Sequence, residues 1–386
     1  MVVFWGFLLI EALLLVEINV ALRKKRKQSA KDDELEILSI GSMAYETLGE
    51  WGGALASTAF IFLGYSSMIA YSDKSGEILH HLFNAPIALS TFIFIIVFTS
   101  LLSFGGAFAA DKVNQWLTAL MIVLLLAIEL LVVEHKGWPS LAGNSNWGEV
   151  PTTFPVLVFS LTYHDIIPVL CAYLEDDLGK LRTSVVLGSL VPLMMMLVWN
   201  AIALGLPSEG TDYIDPIDLL MSVKWSGLSY IIEAFSLLAV GTSVIGTLLG
   251  FSEFYKEQLK NISWTLNPFP DMPKILSNSY WSSDWWERNK QGVIAIGLVI
   301  TPTLLVSLNI PDSFFAATDI AGGYCMTTLY GILPPAMAWA LEKKKLEENQ
   351  VREENNVKPL LLGVGVCSCC VIMNQLILDL SGSLHL

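Results

Sequence analysis

Between Pro151 and Tyr173 runs an apolar stretch long enough to cross a membrane, and at its centre stands Ser160-Leu161-Thr162-Tyr163-His164-Asp165, with Pro168 just beyond. Hydrocarbon offers no hydrogen bonds, so every unsatisfied backbone group or ionisable side chain placed there costs several kcal/mol. A segment like this is tolerated only where it lines a cavity or packs inside protein. Interrupted spans of this kind mark binding sites in secondary transporters.

The rest of the chain supplies the membrane setting. Hydrophobic residues make up 54% and charged residues 15%, and the mean hydropathy of +0.58 comes from many separate apolar blocks. A crossing takes about 20 apolar residues. That ruler gives ten spans, at roughly 2–22, 50–72, 86–109, 114–134, 151–173, 183–206, 228–251, 290–308, 313–341 and 359–379. The expected fold is therefore an all-α polytopic membrane protein, with residues 1–386 forming one integral domain. The longest loop, about 252–289, is too short to bury a core of its own.

The formal charge is −14, but the distribution of Lys and Arg is more informative than the total. Loops 23–49, 110–113, 174–182, 252–290 and 342–358 hold 6, 1, 2, 5 and 5 of them, 19 of the 22, and the alternate loops hold only Lys74, Lys136 and Lys224. By the positive-inside rule the basic loops face the cytosol or its equivalent, and both ends of the chain lie opposite. Residues 35–48, with Leu35, Leu38, Met43 and Leu48, read as a short amphipathic helix on the membrane surface. Trp51, Trp138, Trp264, Trp281, Trp285, Trp286 and Trp339 read as interfacial anchors. The charged run 342–354 reads as a helical extension into solvent, supported by alternating charge. Met1 opens almost directly into the first span, with no basic stretch that would signal a cleaved leader.

Several chemistries find no footing. The sequence holds no G-x-G-x-x-G, P-loop, H-E-x-x-H or nucleophile elbow, so the chain is not expected to be an enzyme or to hydrolyse ATP. All five cysteines, Cys171, Cys325, Cys367, Cys369 and Cys370, fall inside apolar spans, where disulfides are not expected. The Cys367-x-Cys369-Cys370 cluster has no partner histidine and reads as packing, and His80-His81 lacks a third ligand. No metal, cofactor or nucleic-acid partner is expected.

The polar cluster of the interrupted span brings hydroxyls, an aromatic ring, an imidazole and a carboxylate to mid-membrane depth. If the helix unwinds there, a second half-helix begins near Ile166-Ile167-Pro168, where the missing N–H of proline costs nothing, and its dipole favours an anionic group. The competing reading is a continuous helix kinked at Pro168. In the span 228–251, Gly241-Thr242-Ser243-Val244-Ile245-Gly246-Thr247 pairs small residues with hydroxyls one turn apart, a pattern that serves helix packing or a small cation. Glu11 lies deep in the first span and Glu17 six residues on, so the two do not share a face; Glu11 is either a proton site or bonded to a neighbouring helix.

A resemblance now becomes visible. Pro155-Val156-Leu157-Val158-Phe159-Ser160, Tyr163-His164, Pro168, Tyr173, Lys180-Leu181-Arg182 and Gly188-Ser189 with Pro192 resemble the sixth helix, following loop and seventh helix of the tryptophan/tyrosine permeases, the aromatic amino acid branch of the amino acid/polyamine/organocation transporters. Thr242-Ser243, Gly246 and Leu249-Gly250-Phe251 extend the likeness into the eighth helix. The longer loops are similar to those of plastid-targeted members, which implies the plastid inner envelope. Thr162 and Asp165 depart from the glycines that bacterial relatives tend to have.

The resemblance implies an inverted repeat of five plus five helices with the first and sixth broken, followed by an eleventh. On that count the chain lacks the first helix. Residues 1–150 are then the remainder of the first repeat, 151–341 the second, and 342–386 an extra C-terminal helix. The implied activity is secondary active transport of tyrosine or tryptophan, coupled to protons or sodium, with protons favoured. In the resemblance Phe159, Ser160, Tyr163 and His164 would line the substrate site and Thr242 and Ser243 would lie at a vestigial or coupling-ion site; the residues themselves add Thr162 to the first and Glu11 to coupling. The alternative is a truncated, non-transporting membrane isoform with a binding or regulatory role. Without a first helix the chain is expected to insert but transport poorly.

The 19-to-3 charge split predicts that Lys25→Cys and Lys74→Cys, made singly, are labelled by an impermeant thiol reagent from opposite sides of the membrane. Labelling of both from one side would overturn the ten-span reading.

Overall fold

The computed structural model describes residues 1–29, 38–136, 147–205, 228–266, 282–310, 313–347 and 358–383. All regular elements among them are helical: α1 (Val2–Ser29), α2 (Ile40–Leu48), α3 (Glu50–Phe83), α4 (Ile87–Lys136), a 3-10 turn (Trp147–Thr153), α5 (Phe154–Leu161), a second 3-10 turn (His164–Ile166), α6 (Ile167–Tyr173), α7 (Leu178–Gly205), α8 (Leu228–Leu266), α9 (Ser282–Asn309), α10 (Phe314–Asp319), a π-helical segment (Ile320–Ile332), α11 (Leu333–Glu347) and α12 (Lys358–Ser383). Eight stretches are long and apolar enough to cross a membrane. The chain is an all-α, multi-pass integral membrane protein.

The eight reconcile with the ten expected spans at two places. Expected spans 86–109 and 114–134 lie on the single run α4, whose 50 residues would extend about 75 Å at 1.5 Å per residue, against a hydrocarbon core of about 30 Å. The run is broken at Gly106, with φ 70° and ψ −178°, a conformation open essentially to glycine alone. Expected span 313–341 is continuous winding, but it passes from α10 through the π-helical segment into α11. Neither α-helix within it reaches spanning length. The wider pitch is visible in its bonds: Thr327 Oγ1 donates to the Gly322 carbonyl five residues back at 2.8 Å, and the N–H of Leu333 reaches Thr328.

Two compact units emerge, one of Met1–Leu63, Pro139–Gly205 and Thr318–Leu386, the other of Gly64–Trp138 and Leu206–Ala317. The first is built around α1. Its core takes Ala12, Leu15 and Val16 from α1, Met43 from α2, Val158 from α5, Ile167 and Cys171 from α6, Leu181 from α7, and Leu329 and Tyr330 from the π-helical segment. In the second unit α8 packs along α4 and α9. Gly64 gives Phe251 its place, since a Cβ there would lie 2.7 Å from the ring. Tyr65 Oη sits 2.9 Å from both Tyr255 Oη and the Leu298 carbonyl.

At one end of the first unit three of the basic loops converge. Arg23 Nε and Lys27 Nζ lie 2.7 and 2.8 Å from the two carboxylate oxygens of buried Asp176. Arg26 pairs with Glu46, Arg182 Nη2 with Glu17 Oε1 at 2.6 Å, and Lys344 Nζ reaches the Glu46 and Thr47 carbonyls at the end of α2, where the helix dipole favours a cation. The turn that carries Asp176 is strained, with positive φ at Glu175 (52°) and Asp176 (63°), and the ion pairs hold it.

Two expectations need correction or bounding. Residues 40–48 do form a helix, capped by Ser39 Oγ accepting from the Ser42 N–H, but its apolar side is buried in the protein rather than laid on a membrane surface. Met43 is fully buried and Leu38 nearly so, because Asn19 of α1 reaches across to the Leu38 carbonyl at 3.3 Å and to Met43 Sδ at 3.4 Å. Trp51 and Trp339 are exposed. Leu35, Trp138, Trp281, the side chains of Trp264, Trp285 and Trp286, and the charged run beyond Glu347 lie outside the described residues.

Gly106→Ala is expected to cost about 1–3 kcal/mol, the penalty for a Cβ in this region of φ/ψ space. A fall in the unfolding midpoint in detergent checks it.

Candidate functional site

The span at 151–173 is interrupted where its polar residues stand. α5 ends at Leu161, Thr162 turns extended (φ −77°, ψ 128°), Tyr163 takes φ −137° and ψ 14°, and a 3-10 turn leads into α6. The continuous, Pro-kinked helix is excluded. Pro168 stands in the first turn of α6, where its missing N–H is harmless. The Thr162 N–H and Oγ1 both close back on the Val158 carbonyl, at 3.1 and 2.6 Å, and the Ile166 N–H bonds the Tyr163 carbonyl at 3.3 Å. Between them, the amides of Tyr163, His164 and Asp165 fall outside either helical ladder.

His164 is the pivot of the interruption. It is fully buried, and its Nε2 lies 3.0 Å from the Leu8 carbonyl of α1. A carbonyl only accepts, so Nε2 must carry hydrogen. Nδ1 is left without a hydrogen-bond partner and, in the neutral ring, offers a lone pair. The imidazole is stacked between two phenol rings, Tyr163 at 5.1 Å and Tyr330 at 5.0 Å between centroids. Tyr330 is buried in the π-helical segment, and its hydroxyl donates to exposed Asp165 Oδ1. The Tyr163 hydroxyl is buried without a hydrogen-bond partner; on neighbouring α7, Ser189 Oγ accepts from Trp5 Nε1 at 3.2 Å.

α5 approaches the π-helical segment closely because Gly322 has no side chain. A Cβ there would collide with the Pro155 carbonyl and lie 3.2 Å from Phe159 Cβ. Phe159, half-buried, and Ser160, exposed, thus stand one turn before the interruption.

Glu11 is fully buried on α1, and Glu17 is exposed on another face of the same helix. Thr242 and Ser243 belong to the second unit. Their hydroxyls both donate to the Ala239 carbonyl at 2.9 Å, a bond within their own helix that leaves only lone pairs to offer. His80 is not poised as a ligand: its Nδ1 is 2.6 Å from the Ala85 carbonyl. Cys367, Cys369 and Cys370 are exposed on α12.

Residues 1–373 match the model of the tryptophan/tyrosine permease family. The chain belongs to that family. It is similar to the tyrosine-specific transport system 1 of Haemophilus influenzae, 25% identical over 350 residues that cover 87% of this chain and 78% of the relative. It is also similar to the low affinity tryptophan permease of Proteus vulgaris, 25% identical over 325 residues, 78% of this chain and 71% of that one. Glutamine transporter 2 of Aliivibrio fischeri is 26% identical over 233 residues, 58% of this chain and 60% of its own. Membership in a permease family, together with the apolar spans, supports an integral multi-pass membrane protein and indicates a transporter.

Tyr330→Phe keeps the ring stacked on His164 but removes the donor to Asp165. Because that carboxylate is exposed, the expected loss is about 1 kcal/mol, read as a modest fall in unfolding midpoint with membrane insertion unchanged.

Proposed function

We propose that the protein carries out secondary active transport of an aromatic amino acid, tyrosine or tryptophan, driven by protons. The observation that carries this reading is the interruption at Thr162–Tyr163 inside a membrane span, with aromatic rings on both sides of it. Backbone amides outside the ladders, at Tyr163, His164 and Asp165, suit the substrate carboxylate, and carbonyls at the end of α5 suit its amine. Phe159 and Tyr163 supply ring faces for an aromatic side chain, where a pair is worth about 0.5–1.5 kcal/mol beyond burial. Ser160 and Thr162 contribute hydroxyl oxygens beside it. His164 positions this wall by its bond to Leu8 and presents Nδ1 to a substrate N–H or to a proton.

Coupling falls to Glu11, because a carboxyl buried in a membrane span with no ion-pair partner among the described residues is costly unless it takes up and releases a proton. Thr242 and Ser243, their hydrogens committed to Ala239, are left to a subsidiary role as oxygen donors to a cation. Purified protein in liposomes, given labelled tyrosine or tryptophan and an imposed pH gradient, tests the whole reading. Slow but saturable, gradient-driven uptake above that of protein-free liposomes is expected, competed poorly by glutamine. Strong competition by glutamine would move the substrate class, and no uptake would favour the non-transporting role.

His164→Ala is expected to lower uptake about tenfold or more, the equivalent of one hydrogen bond to a charged group at 1.4 kcal/mol per decade, at equal protein in the membrane. Unchanged uptake and pH dependence would return His164 to a packing role.

A further inference from the structure

α12 arises in the sequence as an extra helix, yet its buried stripe is not wholly apolar. Leu361, Val364, Ser368, Val371 and Gln375 recur at spacings of three and four and are all buried. Two glycines of the π-helical segment face this stripe: a Cβ at Gly323 would lie 2.9 Å from Gln375 Cγ, and one at Gly331 would lie 2.6 Å from Ser368 Oγ and 3.2 Å from Glu11 Oε1. Gly331 is therefore a window. Through it the carboxyl of α1 reaches past the intervening segment to the hydroxyl of α12.

Ser368 Oγ lies 3.3 Å from Glu11 Oε1 and 3.0 Å from the Val364 carbonyl. A hydroxyl has one hydrogen and can satisfy only one of these acceptors. When Glu11 carries a proton, its O–H donates to Ser368 Oγ, and Ser368 donates to Val364. When the proton departs to water, the serine hydrogen turns to Glu11 Oε1 and the Val364 carbonyl keeps only its helical bond. Glu11 Oε2 has no other partner, so this one bond distinguishes the two states.

Titratable groups stand on the elements packed around Glu11: His164, bonded to Leu8 one turn earlier on α1; Tyr330, next to Gly331, which donates to the Asp165 carboxylate; the thiols of Cys171 and Cys325 in the shared core; and the exposed thiol of Cys367 beside Ser368. At the basic end α2, α7 and α11 bring Glu46, Arg182 and Lys344, bonded to Arg26, Glu17 and the Glu46 and Thr47 carbonyls. On α12 the nearest carboxylate is Asp379, three turns away and held by Tyr324 and Gln375.

We propose that Ser368 is the positioning residue for a proton carried by Glu11, its hydroxyl reversing direction as the proton comes and goes, so that α12 is a working part of the coupling machinery. The proposal rests on the reading of Glu11 as the coupling site.

The full chain in liposomes, assayed for initial uptake of labelled substrate across a pH series, tests it. Ser368→Ala is expected to shift the midpoint upward by about half a pH unit or more, since the proton-free carboxylate loses its donor. Ser368→Thr should restore it, and Gly331→Ala should reproduce the shift by closing the window. In a Glu11→Gln background Ser368→Ala should change nothing further. Profiles of Ser368→Ala that match the parent, or a shift that persists without Glu11, would overturn the proposal. If the parent shows no uptake the transport reading fails, and infrared difference spectra of the purified protein against pH still decide this one: the protonated-carboxyl band must vanish in Glu11→Gln and move in Ser368→Ala but not in Ser368→Thr.

Discussion

A backbone amide or carbonyl in hydrocarbon must find a partner within the protein, and the interruption at Thr162–Tyr163 turns that requirement into architecture. Opening the helix frees several such groups at once. Thr162 returns two donors to Val158, the 3-10 turn recovers another, and His164 anchors the loose segment on α1 through Leu8. The neighbours are shaped to the same end. Gly322 lets the π-helical segment close against α5, and that brings Tyr330 onto the imidazole. A helix wound with five-residue hydrogen bonds packs less efficiently than an α-helix and persists mostly where a site requires it.

Much of this could be read from residue order alone. Pro168 behind a run of polar residues located both the end of α5 and the start of α6 to within a residue or two, because proline and mid-membrane polarity act locally. The six-residue spacing of Glu11 and Glu17 correctly placed them on different faces of α1. The partners of the polar groups were not legible. Leu8 and Tyr330 lie more than 150 residues from the residues they touch, and Ser368 is 357 residues from Glu11; nothing in local periodicity announces such meetings. The π-helical segment is equally silent, since Ile320–Ile332 is apolar or small nearly all round and fits several pitches. Residues 40–48 misled in the opposite way: an amphipathic pattern cannot say whether its apolar face meets lipid or protein, and Asn19 decided for protein.

The two compact units carry different kinds of polarity. In the second, hydroxyls such as Thr242, Ser243 and Thr303 turn back on their own helices, which satisfies them without engaging a neighbour. In the first, Glu11, His164, Tyr330 and Ser368 reach across from one element to another. Cross-element bonds are sensitive to small displacements in a way that self-satisfied hydroxyls are not, and the second unit has its own in Tyr65, which reaches Tyr255 and the Leu298 carbonyl.

Asp176 ties the two halves of the first unit's basic end together. It grips Arg23 and Lys27 with both carboxylate oxygens, fastening the end of α6 to the end of α1 at the basic face. Those two ends must then travel as one body. With that end pinned, α6 is held to α1, while α5 beyond the extended residues Thr162 and Tyr163 is seated instead on the π-helical segment through Gly322, so the two halves of the span answer to different neighbours.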